Sequence, residues 1–90
     1  MTIWTLFVQS TSGDLYDILI DNNKTFSELR SKASEMVNIP FNDLVLIGNV
    51  EYDKNYNSKK LCDIGYPLQD GYTFYAAVKV NGGNRQNINN

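Results

Sequence analysis

One segment of this chain carries both a helix start and a helix stop. In Thr25-Phe26-Ser27-Glu28 the Thr hydroxyl can accept from the third helical amide, and Glu28 can reach back to the Thr25 amide, which makes a capping box. Phe26, Leu29, Ala33, Met36 and Val37 follow at offsets of three, seven, ten and eleven and share one stripe. Arg30, Ser31, Lys32, Ser34 and Glu35 fall largely on the other side. Asn38 tolerates the left-handed conformation that closes a helix, and Pro40 cannot continue one. The spacing predicts an amphipathic helix of about three turns that ends near Val37. A helix with one apolar stripe must bury it against another layer.

The rest of the chain supplies that layer as strands. Residues 3 to 9 and 15 to 21 are rich in β-branched and aromatic side chains, and Ser10-Thr11-Ser12-Gly13-Asp14 between them has turn chemistry, so they predict a β-hairpin. A period of two puts Trp4, Leu6 and Val8 on one face of the first strand and Tyr16, Ile18 and Ile20 on one face of the second. Thr5, Gln9, Asp17 and Asp21 lie opposite. Leu44-Val45-Leu46-Ile47 reads as a short third strand ending at Gly48-Asn49. Val50-Glu51-Tyr52 is followed by a polar run from Asp53 to Lys60 that reads as a loop. Leu61, Ile64 and Leu68 can pin a single helical turn to the core. Beyond Pro67 and Gln69-Asp70-Gly71, residues 72 to 80 form the longest strand candidate. A hairpin, one long helix and further strands predict an α+β domain, a mixed sheet of four to five strands wrapped on one helix, which is the β-grasp arrangement.

Composition removes many chemistries. The 90 residues include no histidine, so the usual general base near neutral pH and the commonest metal ligand are both missing. The expectation is a protein that is not an enzyme, with no catalytic residues, no metal and no cofactor. Cys62 is the sole cysteine and cannot form an internal disulfide, which points to a reducing compartment, cytoplasmic or nuclear. Met1 to Val8 has no basic leader and is followed by polar residues, so it reads as neither signal peptide nor membrane span. With a net charge of −2 and its charges scattered singly, the chain has no basic stripe for nucleic acid. Twelve residues are Asn, five of them from Asn81 onward, and the end of the chain has little to bury. A folded domain over residues 1–81 with a flexible tail over 82–90 is expected, as a monomer.

Taken in order, these pieces resemble the ubiquitin-like family over about residues 4 to 83. The resemblance runs through Thr25-Phe26-Ser27-Glu28-Leu29, Asn38-Ile39-Pro40, Leu46-Ile47, Lys60-Leu61-Cys62-Asp63-Ile64-Gly65-Tyr66 with Gln69-Asp70-Gly71, and a last strand leading to Gly82-Gly83. It implies a protein modifier whose terminal di-glycine is activated and joined to target lysines by an isopeptide bond. Gly82 and Gly83 would be the conjugation residues, after a protease removes residues 84–90. A glycine suits that site because a narrow enzyme tunnel leaves no room for a Cβ. The partners so implied are proteins: activating and conjugating enzymes, a processing protease, or ubiquitin-pathway receptors.

The family's recognition patch maps onto Ile47, Tyr75, Ala77 and Thr11, of which the isoleucine alone is retained, and Lys79 keeps one of two basic residues before the di-glycine. Ala77 and Thr11 present less apolar area, so different readers are expected, with Tyr75 as an aromatic anchor. Lys32 matches a helix lysine used for chain linkage, and Arg30 replaces its neighbour. Two other readings stand beside the modifier. One is a non-conjugated docking domain, free or at the N-terminus of a larger protein; the other is a β-grasp sulfur carrier, which also uses a di-glycine. Among the remaining features, Cys62 is expected to be a partly buried small residue, Lys59-Lys60 a solvated pair and Trp4 a core residue.

Overall fold

A computed structural model describes residues 1–79. Gly82, Gly83, the expected boundary at residue 81 and the expected tail lie outside the described residues. Strands β1 (Ile3–Gln9) and β2 (Leu15–Asp21) form the predicted hairpin, and β3 (Leu44–Ile47), β4 (Glu51–Tyr52) and β5 (Thr73–Val78) complete one sheet in the order β2-β1-β5-β3-β4. β1 and β5 run parallel at its centre, and the other neighbours are antiparallel. The long helix α1 (Phe26–Val37) covers one face, and a single turn, α2 (Leu61–Ile64), closes one side. The expected mixed sheet on one helix is what the chain forms.

The hairpin faces follow the period of two. Leu6, Val8, Ile18 and Ile20 are buried, and Trp4 packs against the core partly buried. The turn between the strands is closed by Ser10 N–H to Asp14 O at 2.8 Å, and Gly13 takes a φ of 96° that a side chain would resist. Against these strands α1 buries Phe26, Leu29 and Ala33, joined by Leu44, Leu46, Leu61, Leu68 and Phe74.

Both ends of α1 are specified as expected, with one difference. Thr25 Oγ1 accepts from Glu28 N–H at 3.3 Å, and Asn38 closes the helix at φ 60°. The Glu28 carboxylate, however, turns to Lys24 Nζ at 3.8 Å rather than back to the Thr25 amide. The following segment takes over the helix amides instead: Phe26 N–H donates to Lys59 O at 2.9 Å and Ser27 N–H to Asn57 O at 3.2 Å.

Two stripe assignments are corrected. Met36 is 43% exposed, because at about 100° per residue it lies roughly 80° round the helix from Phe26, at the margin of the buried face. Arg30, expected on the solvent side, is only 4% exposed. It follows Phe26 by four residues, which returns it to the buried face. The polar run after Tyr52 is also less of a free loop than expected: it holds a 3-10 turn over Lys54–Tyr56, and Tyr56 packs on the Phe26 ring at 6.0 Å.

Candidate functional site

Strand alternation that buries the even-numbered side chains of β1, β2 and β5 sends the odd-numbered ones to the face opposite α1. The register aligns them. Gln9 pairs with Leu15 on one side and Tyr75 on the other; Tyr75 pairs with Ile47, and Ile47 with Glu51. One row therefore crosses all five strands: Leu15, Gln9, Tyr75, Ile47, Glu51. Tyr75 is 55% exposed and Leu15 60% exposed, while Ile47 is half-buried. In a neighbouring row Ala77 pairs with Val45.

Three of the residues implied by the family resemblance thus share one surface. Ile47 and Tyr75 are direct cross-strand partners, and Ala77 lies two residues along β5 on the same face. Thr11 is exposed in the β1–β2 turn, two residues beyond Gln9. Lys79 follows β5, where its N–H donates to Asp43 O at 2.7 Å. Lys32 is exposed on α1, the layer behind the sheet, and does not join this surface.

Leu15 and Leu19 were not among the expected site residues, yet each is 60% exposed on this face. The signal was available, since both share the parity of Asp17 and Asp21. Two leucines on a water-facing strand surface are the apolar exception in an otherwise polar set.

The far end of the row is held by the turn after β3. Gly48 N–H donates to Val50 O at 2.9 Å, and Asn49 Oδ1 accepts from both Tyr52 Oη at 2.6 Å and Tyr72 Oη at 2.9 Å. Tyr52, Tyr72 and Phe74 stack edge to face beneath this turn, with centroids 5.0 to 6.5 Å apart. Burial pushes the Tyr52 phenol up to about 12, helped by the neighbouring Tyr72 and Tyr56 hydroxyls.

Cys62 is exposed rather than partly buried. In α2 the inward position is taken by Leu61, and the next residue points away; the Cys62 thiol lies 3.9 Å from Asn23 Oδ1 and 3.8 Å from Asp63 Oδ1. Among the described residues no three His, Cys, Asp or Glu side chains are placed to hold a metal ion, and no helix is long and apolar enough to cross a membrane. What this face offers chemically is contact area, with Tyr75 beside the aliphatic side chains of Ile47, Leu15 and Leu19.

The architecture defines the class. A mixed five-stranded sheet with a parallel central pair, folded on one helix, is a ubiquitin-like β-grasp. The chain is similar to the ubiquitin-like domain of an Arabidopsis thaliana protein solved in solution by NMR, with a TM-score of 0.72 over 90% of this chain and 82% of that one, at 18% identity. That likeness is one of fold. No family model matches the sequence, and no curated protein matches it.

Proposed function

We propose that this protein is a non-catalytic ubiquitin-like recognition module, bound by proteins of the ubiquitin pathway through the outer face of its sheet. The observation that carries this reading is the row Leu15–Gln9–Tyr75–Ile47, which puts an exposed aromatic between two aliphatic side chains on a rigid surface. Burying such apolar area contributes about 25 cal/mol per Å², and a central tyrosine is a frequent energetic anchor. Ala77 and Thr11 give the surface less apolar area than the family's own patch, so it selects its own set of receptors. The absence of histidine and the single cysteine fit a cytoplasmic or nuclear protein that is acted on rather than acting.

The test is comparative capture. Wild type, Tyr75→Ser, Ile47→Ala and Leu15→Ser are immobilised and the proteins they retain from cell extract are compared, with urea midpoints checking that each variant is folded. The expected result is a set of ubiquitin-pathway proteins retained by wild type and lost from the first two variants. Undiminished recovery on folded Tyr75→Ser and Ile47→Ala would show that the sheet face is not the site.

A second reading rests on a different observation: Gly82 and Gly83 follow the end of β5 at Val78 by four and five residues. In this reading residues 84–90 are removed and Gly83 is conjugated to target lysines, with activating and conjugating enzymes as further partners and Lys32 available for chain linkage. An N-terminally tagged chain expressed in its own cells should give a mass ending at Gly83 and heavier adducts that vanish in Gly83→Ala. An intact tail without adducts removes the modifier reading and leaves the docking module. A thiocarboxylate at Gly83 would instead identify a sulfur carrier.

A further inference from the structure

Away from the sheet's apolar row, three cations converge on a cleft of about 140 Å³, far above the roughly 10–15 Å³ that admits one water. Arg30 reaches it from α1, Lys54 from the segment after β4 and Lys79 from the end of β5, with the Asn42 carboxamide and the Asp53 carboxylate also on its wall. Three positive groups and one negative group give a formal +2 in a chain whose total is −2. Among the described residues the one ion pair is Lys24 with Glu28, so none of the three cations has a carboxylate within pairing distance.

Arg30 is the unusual member. Its Nη1 donates to Asn57 Oδ1 at 2.9 Å, and its Nη2 donates to Phe41 O and Leu44 O at 2.8 Å each, while its guanidinium lies 4.4 Å from the centre of the Phe41 ring. All of these partners are neutral. Its Nε is buried and has no hydrogen-bond partner. Burial holds the guanidinium below its usual range, and the Asp53 carboxylate, beyond pairing distance, offsets only part of that, so an anion brought beside it supplies further counter-charge.

Asp53 sharpens what that anion must be. Its Oδ1 accepts from Asn55 N–H at 2.9 Å, and Asp53 lines the cleft with a second carboxylate oxygen that can accept. A carboxylate repels a fully deprotonated oxyanion but accepts from one that retains an O–H. We propose that this cleft binds hydrogen phosphate, with Arg30, Lys54, Lys79 and Asn42 meeting its charged oxygens and Asp53 accepting its O–H. Sulfate, of the same shape and charge but without a proton, is rejected. A phosphate monoester, whose second pKa near 6 leaves it mostly without the O–H at pH 7, binds more weakly than the free ion.

The experiment is an NMR titration of the full chain with sodium phosphate at pH 7, with ionic strength held constant by sodium chloride. Sodium sulfate and O-phosphoserine are titrated in parallel. Saturable shifts of the Asn42, Val45, Lys54 and Lys79 amides are expected with phosphate, with at least tenfold weaker binding of sulfate. The Lys54→Gln/Lys79→Gln double variant changes exposed side chains only and should weaken phosphate at least tenfold. Asp53→Asn, which can still cap the Asn55 amide, should bring sulfate and phosphate to similar affinity. Weaker O-phosphoserine binding assigns the site to the free ion; equal or tighter binding would assign it to phosphorylated side chains and overturn selection through the O–H. Non-saturating shifts, or equal shifts with phosphate and sulfate in wild type, would overturn the site as proposed.

Discussion

Tyr72 and Asn49 bind each other twice: the Asn49 N–H donates to Tyr72 Oη at 2.7 Å, and the Tyr72 hydroxyl donates back to Asn49 Oδ1 at 2.9 Å. The Tyr72 ring lies across Gly48 so closely that a Cβ there would overlap its hydroxyl. Tyr72→Phe removes both hydrogen bonds and is expected to cost about 1–2 kcal/mol in urea denaturation. Gly48→Ala should cost about 1–3 kcal/mol through overpacking, and markedly less when placed on Tyr72→Ala. Equal costs in the two backgrounds would show that the ring is not what excludes the methyl group.

Arg30 joins α1 to the carbonyls at both ends of the 3-10 turn over Phe41–Asp43 and to Asn57. A lysine cannot reproduce the planar fork that reaches three acceptors. Arg30→Lys is therefore expected to lose about 1.5–3 kcal/mol in equilibrium unfolding, the range for hydrogen bonds made by a charged group. Lys32→Gln, two residues away on the exposed side, should stay within about 0.5 kcal/mol of wild type.

Alkaline pH reports on Tyr52. Its folded pKa of about 12 lies above the ordinary tyrosine value of about 10, so between those values the unfolded chain has released a proton that the folded chain keeps. The stability it contributes is complete below about pH 10 and is lost as pH rises toward 12, at up to about 1.4 kcal/mol per pH unit. Urea midpoints at pH 8 and pH 11 should fall more for wild type than for Tyr52→Phe. Parallel falls would assign the alkaline loss to other groups.

The helix start separates a cap from a surface pair. Thr25→Ala removes the acceptor for the Glu28 amide and should cost about 1 kcal/mol. Glu28→Gln breaks only its contact with Lys24, both side chains being about half exposed, and should change thermal stability by less than about 0.5 kcal/mol.

Most of what depends on short-range chemistry is legible in the sequence. The hairpin strands, the β3 segment, the Thr25 cap and the Asn38 stop each follow from residues within a few positions of one another, and all stand where the spacing puts them. The four-residue step from Phe26 puts Arg30 on the buried face, but its acceptors, Phe41 O, Leu44 O and Asn57 Oδ1, lie 11, 14 and 27 residues away, and only the finished fold gathers them. On the candidate surface, the resemblance marks Ile47, Tyr75 and Ala77, whereas Leu15 and Leu19 alternate with Asp17 and Asp21 on a strand face that reads as polar. That Leu15 lines up with Tyr75 depends on the parallel β1–β5 register, which no local pattern encodes.

The place of β5 has a consequence for how the chain is made. Among the described residues, the strand latest in sequence is the middle strand in space, bonded to β1 on one side and β3 on the other. Until residues 73 to 78 leave the ribosome, the hairpin and the β3–β4 ribbon are separate pieces with no edge in common, and Phe74 is missing from the centre of the aromatic cluster. Synthesis from N- to C-terminus therefore delivers this keystone after the four strands it joins. Nascent chains halted before Thr73 should remain open to proteases at every stage, and protection should arrive in one step as β5 emerges.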